Sequence, residues 1–381
     1  MQTVTAGQRK GGTGRLLGVD AARALALIGM MSVHLFPATD PDGSISTAYF
    51  ISSGRASALF AVLAGVGLAL ANGSTRPPHG NDLLAAAAGI AGRAAVLGVL
   101  GLFLGEVDSG VAVILVNYSF LFLAATAFIG LSGRTLGFLA ALWAIFVPVI
   151  SHWLRARMLD DSFAVPGFGE LADPVVFLRE IFLTGYYPVL PWIAYLLAGM
   201  AVGRANLRSP RVAGALVVLG VALAAASGAI SRFLLDTFGP AGLEAPVQFF
   251  GATPTDSWWY LAVATPHSGA TLDLLHTTGT SLAVLGACLL LEAAGRSVLG
   301  WLAGAGGMTL SLYTSHVLAL AAGWGPADRL ALLVWHSVAA IAIGLLWRTF
   351  VGRGPLETLA ASLANTFKSA VAGSRATPKE A

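Results

Sequence analysis

A single cysteine, Cys288, in 381 residues excludes an intrachain disulfide and a thiolate metal cluster. In an apolar run a lone thiol is packing. Charge is scarce as well: Asp, Glu, Lys and Arg make up 11% of the chain and sum to +3. The arginines are spread between apolar runs and do not gather into the basic patch that a nucleic-acid partner requires. No internal period of 20–50 residues is present, and no hydrophilic domain is inserted. There is no His-x3-His or His-Glu-x-x-His pattern, so no metal site is expected. No small-x-small cleavage site follows Phe36, which makes the first apolar run an uncleaved span and not a signal peptide.

Apolar residues are abundant. They form 56% of the chain, and the mean hydropathy is +0.77. Such a composition excludes an ordinary soluble domain and predicts an all-α polytopic membrane protein. About ten transmembrane helices are expected, near 16–36, 48–71, 83–104, 111–131, 134–154, 187–204, 211–235, 271–293, 297–321 and 328–350. They form one domain over 16–357, between a flexible tail at 1–15 and a polar tail at 358–381 that is expected to be disordered after about Asn365. Most basic loop residues, from Arg15 through Arg76, Arg134, Arg204, Arg208, Arg211 and Arg296 to Arg353, fall on one expected side. By the positive-inside rule that side, with both termini, is the cytoplasm, and the protein is a multi-pass plasma-membrane protein. Membrane lipid is its expected surrounding, and a second copy of the chain is a candidate partner.

Ionisable residues inside spans are costly and point to function. The first span carries three: Asp20, Arg23 and His34. Arg23 and His34 are eleven residues apart, which brings them within about 20° of each other around a helix and about 16 Å apart along it. Asp20 joins them at i−3. This polar stripe faces a bundle interior, and Asp20 and Arg23 also have the makings of a buried pair. Arg55 in the second span, Asp273 and His276 in the eighth, and His316 in the ninth are expected at the depth of His34, where they would form a polar chamber opening outward. Lone histidines such as His152 and His336 read as side chains satisfied at the interface. Two long outer loops, about 155–186 and 236–270, are expected. The FLREIF segment of the first suits an interfacial helix, and Trp258 and Trp259 of the second suit either an interfacial belt or substrate contact.

The residues also carry a family resemblance. VDAARALALIGMMSVH, with Arg23 and His34 at an Arg-x10-His interval, resembles the opening helix of acyltransferase-3 membrane proteins. GRASALFAVLAGVGLAL, with Arg55, Leu59, Phe60, Leu63 and Gly65, resembles the second helix of bacterial relatives of heparan-alpha-glucosaminide N-acetyltransferase. YYPVLPWIAYLLAGMAVGR, GGMTLSLYTSH and RGPLETL with Glu357 are similar to further segments of those relatives, so the resemblance spans most of the chain. It implies transfer of an acyl group, acetyl in kind, from acyl-CoA in the cytoplasm to a hydroxyl or amine of an extracytoplasmic glycan, glycolipid or small molecule.

On that reading Arg23, Arg93, Arg204, Arg208, Arg296 and Arg353 would hold the acetyl-CoA co-substrate. Asp20, Arg23, His34, Arg55, Asp273, His276 and His316 would form the catalytic set, and Trp258, Trp259 and Tyr313 would meet the acceptor. The lysosomal enzyme of the family resembles this chain except for a histidine in the loop after the first span. Residues 37–50 here contain none, so either His34 takes that role or the mechanism differs. The alternative reading of the same buried residues is a proton-coupled transporter or flippase.

Overall fold

In the computed structural model, residues 15–158, 165–243, 245–295 and 298–373 are described. Most of the expected N-terminal tail, the last residues of the C-terminal tail, and Asp160, Asp161, Glu244 and Arg296 lie outside them. No β-strand forms among the described residues, and the chain is all-α.

The first helix, α1 (Leu17–Leu35), begins without a side-chain cap of its own. A helix start leaves its first backbone N–H groups without internal partners. Here Glu292, far along the chain, accepts the N–H of Leu17 at 3.0 Å and of Gly18 at 2.7 Å. The second apolar run divides into α2 (Thr47–Ser52) and α3 (Arg55–Ala71). Gly54 sits at the break with φ +69°, a conformation that strains any other residue, and its N–H donates to His267 Nε2 at 3.2 Å. Arg55 therefore begins α3, within the Thr47–Ala71 segment that as a whole is long and apolar enough to cross a membrane.

Next come α4 (Gly80–Gly105), α5 (Leu115–Ala125) and α6 (Gly133–Arg155). Only 11 residues of the expected span at 111–131 are helical in α5, and turns follow from Thr126. The FLREIF region forms α7 (Pro174–Arg179), started by Asp173 accepting the N–H groups of Val175 and Val176, and continues as a π turn over Glu180–Thr184. A bend of 51° then leads into α8 (Val189–Gly203).

The remaining helices are α9 (Pro210–Phe238), α10 (Thr271–Ala293), α11 (Val298–Gly306), α12 (Thr309–Ala321), α13 (Arg329–Phe350) and α14 (Pro355–Gly373). The expected ninth span is thus broken between α11 and α12. The break follows from packing: a Cβ on Gly306 would lie 1.7 Å from the carbonyl oxygen of Asp20, so this turn presses directly on the backbone of α1. The C-terminal segment also departs from expectation, since α14 runs helical to Gly373 and packs along α4.

Among the described residues, seven segments are long and apolar enough to cross a membrane, α2 and α3 together counting as one, and eight if the bent pair of α7 with its π turn and α8 counts as one span. This is fewer than the ten expected, because two of the expected runs are short or broken. Close helix contacts use small residues: Gly199 of α8 lies against the Val62 carbonyl of α3, and Gly220 of α9 against Gly279 of α10. By contrast α9 and α13 expose Val218, Leu219, Val334, Val338 and Leu346, the faces that such helices turn to lipid.

Candidate active site

A cavity of about 970 Å³ runs beside α1. Arg15, Asp20, Arg23 and Met30 line it, so it follows the helix for about 20 Å at the usual rise. Phe60 and Gly67 of α3, Arg93 of α4, Tyr118 of α5, Tyr313 of α12 and Glu357 of α14 complete the walls. One end gathers arginines from four places in the sequence: Arg15, Arg208, Arg348 and Arg353. Away from these arginines the lining is apolar and aromatic and includes Met30, Tyr118 and Tyr313.

Charge is unbalanced in this space. Asp20 is 3% exposed and takes Arg15 through Nε and Arg23 through Nη1 at 3.5 Å, so the pair foreseen in the first span is a triad. Glu357 is engaged with backbone: it accepts the N–H of Leu310 at 2.7 Å and of Ser311 at 3.1 Å, and the Ser311 hydroxyl at 2.6 Å. Among the described residues, Arg93, Arg348 and Arg353 have no carboxylate partner. Arg93 stands near enough to Arg23 and Arg353 for like-charge repulsion. An apolar-walled cleft with surplus cations at its mouth is a site for an elongated anion.

The expected polar chamber divides into two groups. In one, Arg55 Nη2 donates to His276 Nε2 at 3.2 Å, while His276 Nδ1 donates to the Ala224 carbonyl at 2.9 Å. Asp273, 2% exposed, accepts the Gly269 N–H at 3.2 Å close by. In the other, His34 Nδ1 lies 3.2 Å from His316 Nε2, with the rings stacked at 15°. His316 Nδ1 lies 3.2 Å from His336 Nδ1. His336 is therefore joined to His316 and is not satisfied at an interface, a pairing 20 residues apart that no helical period signals. Among the described residues, no group of three or more His, Cys, Asp and Glu side chains is arranged to hold a metal ion.

His34 is part-buried and lies just beyond the cavity wall. Tyr313 lines the cavity and packs edge-on against His34, with ring centroids 6.4 Å apart. Of the stripe, Asp20 and Arg23 line the cavity, and His34 meets it through its contact with Tyr313.

Of the arginines expected to hold the co-substrate, Arg23, Arg93, Arg208 and Arg353 line the cavity, and Arg296 lies outside the described residues. Arg204 does not line it. Its guanidinium donates to the carbonyls of Asn72 at 2.8 Å and Ser74 at 2.7 Å, which ties the end of α3 to α8. Trp258 and Trp259 belong to a short 3-10 turn away from the cavity, where Trp258 packs on His152 at 4.4 Å. The sequence reading did not place Arg15 and Arg348 in a site, because each is one arginine at a helix end until the fold brings them together.

Comparison with known families adds one finding. The family model described as heparan-alpha-glucosaminide N-acetyltransferase, catalytic, matches residues 15–228, more than half of the chain. No curated protein matches it. The matched part holds α1 to α8 and most of α9, whereas Tyr313, Arg348 and Glu357 come from helices beyond it and Arg353 from the turn between α13 and α14.

Proposed function

The chain belongs to the heparan-alpha-glucosaminide N-acetyltransferase catalytic family, and from that premise we propose that it moves an acetyl group from acetyl-CoA in the arginine-mouthed cavity to an acceptor beside His34. One observation carries the reading: the cavity runs from the cationic end of α1 to the residue that touches His34.

Arg208, Arg348 and Arg353 at the mouth hold the CoA phosphates, a task suited to the planar, permanently charged guanidinium. Arg93 adds a further charge-assisted phosphate contact, Arg23 extends that field inward, and the apolar walls take the thioester arm. The arginine-rich end, with both chain termini, is cytoplasmic. The acceptor, a glycan, glycolipid or small molecule with an amine or hydroxyl, approaches from the opposite side of a plasma membrane. Tyr313 turns aside to admit the thioester.

His34 then takes a proton from the acceptor as its nitrogen or oxygen bonds to the acetyl carbon. The carbon–sulfur bond breaks, and His34 returns the proton to the CoA sulfur. Arg55 and His276 stand toward the acceptor side.

The test is release of free CoA from acetyl-CoA by the purified protein in detergent, with and without amine and hydroxyl sugars. Acceptor-dependent release that is lost in His34→Ala supports the reading. A proton-coupled transporter or flippase built on the same residues releases no CoA, and that result would replace it.

A further inference from the structure

α13 is mostly turned away from the protein; within it only His336, Ala340 and Gly344 are buried. Ala340 and Gly344 allow close packing, which explains their burial. An imidazole is a costly group to place on such a helix, and packing alone has no use for its nitrogens. Yet His336 is 4% exposed, and it reaches His316, which is 2% exposed. Their rings meet at 84° with Nδ1 to Nδ1 at 3.2 Å. His316 in turn contacts His34 Nδ1 through Nε2. Three rings from α13, α12 and the last turn of α1 thus form one chain.

A neutral imidazole has one N–H and one acceptor nitrogen. Both nitrogens of His316 are engaged, so it donates through one and accepts through the other. The chain therefore has one direction at a time. When His336 donates to His316 and His316 to His34, the His34 proton sits on Nε2. When the direction reverses, His34 donates through Nδ1 and its Nε2 is a bare base. In both arrangements Nδ1 of His34 is occupied and Nε2 is the nitrogen left to react.

We infer that His336 is a positioning residue for acetyl transfer, acting through His316 to hold the His34 ring and to set which of its nitrogens meets the acceptor. This rests on the role of His34 proposed above. The catalytic group is His34, and His336 touches neither substrate.

The experiment compares His336→Phe, which keeps an aromatic ring without nitrogens, with His336→Asn, whose amide can donate or accept near the former Nδ1. In His336→Phe, kcat for CoA release falls roughly tenfold or more, as is usual when the partner that orients a reacting imidazole is removed. KM for acetyl-CoA and the melting temperature stay near the wild-type values. His336→Asn recovers most of kcat.

A second readout does not depend on the transfer reaction: carbethoxylation of His34 by diethyl pyrocarbonate, followed by peptide mass spectrometry. The wild type and His336→Asn take one carbethoxy group at His34. His336→Phe also takes one, since His316 still meets Nδ1 of His34, but reacts faster, because His316 has lost its own anchor and holds the His34 ring less firmly. Unchanged kcat and unchanged His34 reactivity in His336→Phe would overturn the inference, as would an asparagine variant no better than the phenylalanine one. Should the wild type release no CoA with any acceptor, the proposed function fails, and the labelling of His34 still decides whether His336 governs its ring.

Discussion

Glu357 holds the start of α12, the helix that carries both Tyr313 and His316, and removing its carboxylate separates the roles of charge and geometry. Three donors converge on it: Leu310 N–H at 2.7 Å, Ser311 N–H at 3.1 Å and the Ser311 hydroxyl at 2.6 Å. Met308, at the cap position, supplies no side-chain bond of its own. Loss of a helix cap costs about 0.5–2 kcal/mol, and a net hydrogen bond about 1 kcal/mol, so Glu357→Ala should cost about 3 kcal/mol. Glu357→Gln is milder. Its amide oxygen still accepts both N–H groups, and its NH₂ can donate to Ser311 Oγ, which already accepts the Leu356 N–H at 3.1 Å. What is lost is the full negative charge at a helix start, about 0.3–1 kcal/mol. At about 2 °C per kcal/mol for a large domain, the alanine variant should melt some 6 °C lower and the glutamine variant about 2 °C lower. The assay is thermal unfolding of the detergent-purified protein at one fixed scan rate. Equal losses in the two variants would refute the hydrogen-bond argument, as would an alanine variant that melts with the wild type.

Two further outcomes are expected. Gly199→Ala places a methyl 1.9 Å from the Val62 carbonyl, so α3 and α8 must separate; overpacking of this kind costs about 1–3 kcal/mol or more, and the monodisperse yield on size exclusion should drop sharply. His267, in the loop before α10, is buried, and burial pushes its pKa down to about 4. The unfolded chain, with an ordinary histidine near 6.5, binds the proton first between these two values, so this residue costs stability as pH falls from 6.5 to 4, by up to about 3 kcal/mol. Melting temperatures measured across that range should fall less steeply for His267→Gln than for the wild type; parallel curves would contradict this.

Much of the helix layout can be read from the sequence, because apolar run length is set by the bilayer and not by tertiary detail. The first span and its stripe are an instance in part: Asp20 and Arg23 line the cavity, whereas His34, the third member, does not line it and meets the lining residue Tyr313. Breaks are harder to read. Windowed hydropathy averages across Gly54 and across Gly306–Gly307, where the backbone turns because another segment presses on it. The interior partnerships were less legible still. Arg204 has the appearance of a phosphate-binding cytoplasmic arginine, yet it meets carbonyls from residues more than 100 positions away. Likewise His336 and Glu292 look like isolated polar residues until α12 and α1 are beside them. Contacts of this kind depend on three-dimensional juxtaposition, for which a single sequence has no periodic signature.

The central claim is that the cavity along α1 holds the acyl donor. Equilibrium binding of acetyl-CoA to the purified protein, by isothermal titration of wild type and Arg93→Ala, tests it most directly. Arg93 has no carboxylate partner among the described residues, so its removal leaves no buried acid unpaired. Loss of one charge-assisted contact worth about 1.5–3 kcal/mol should weaken binding roughly 10- to 100-fold. Equal affinity in the two proteins, or no binding to the wild type, would contradict the account.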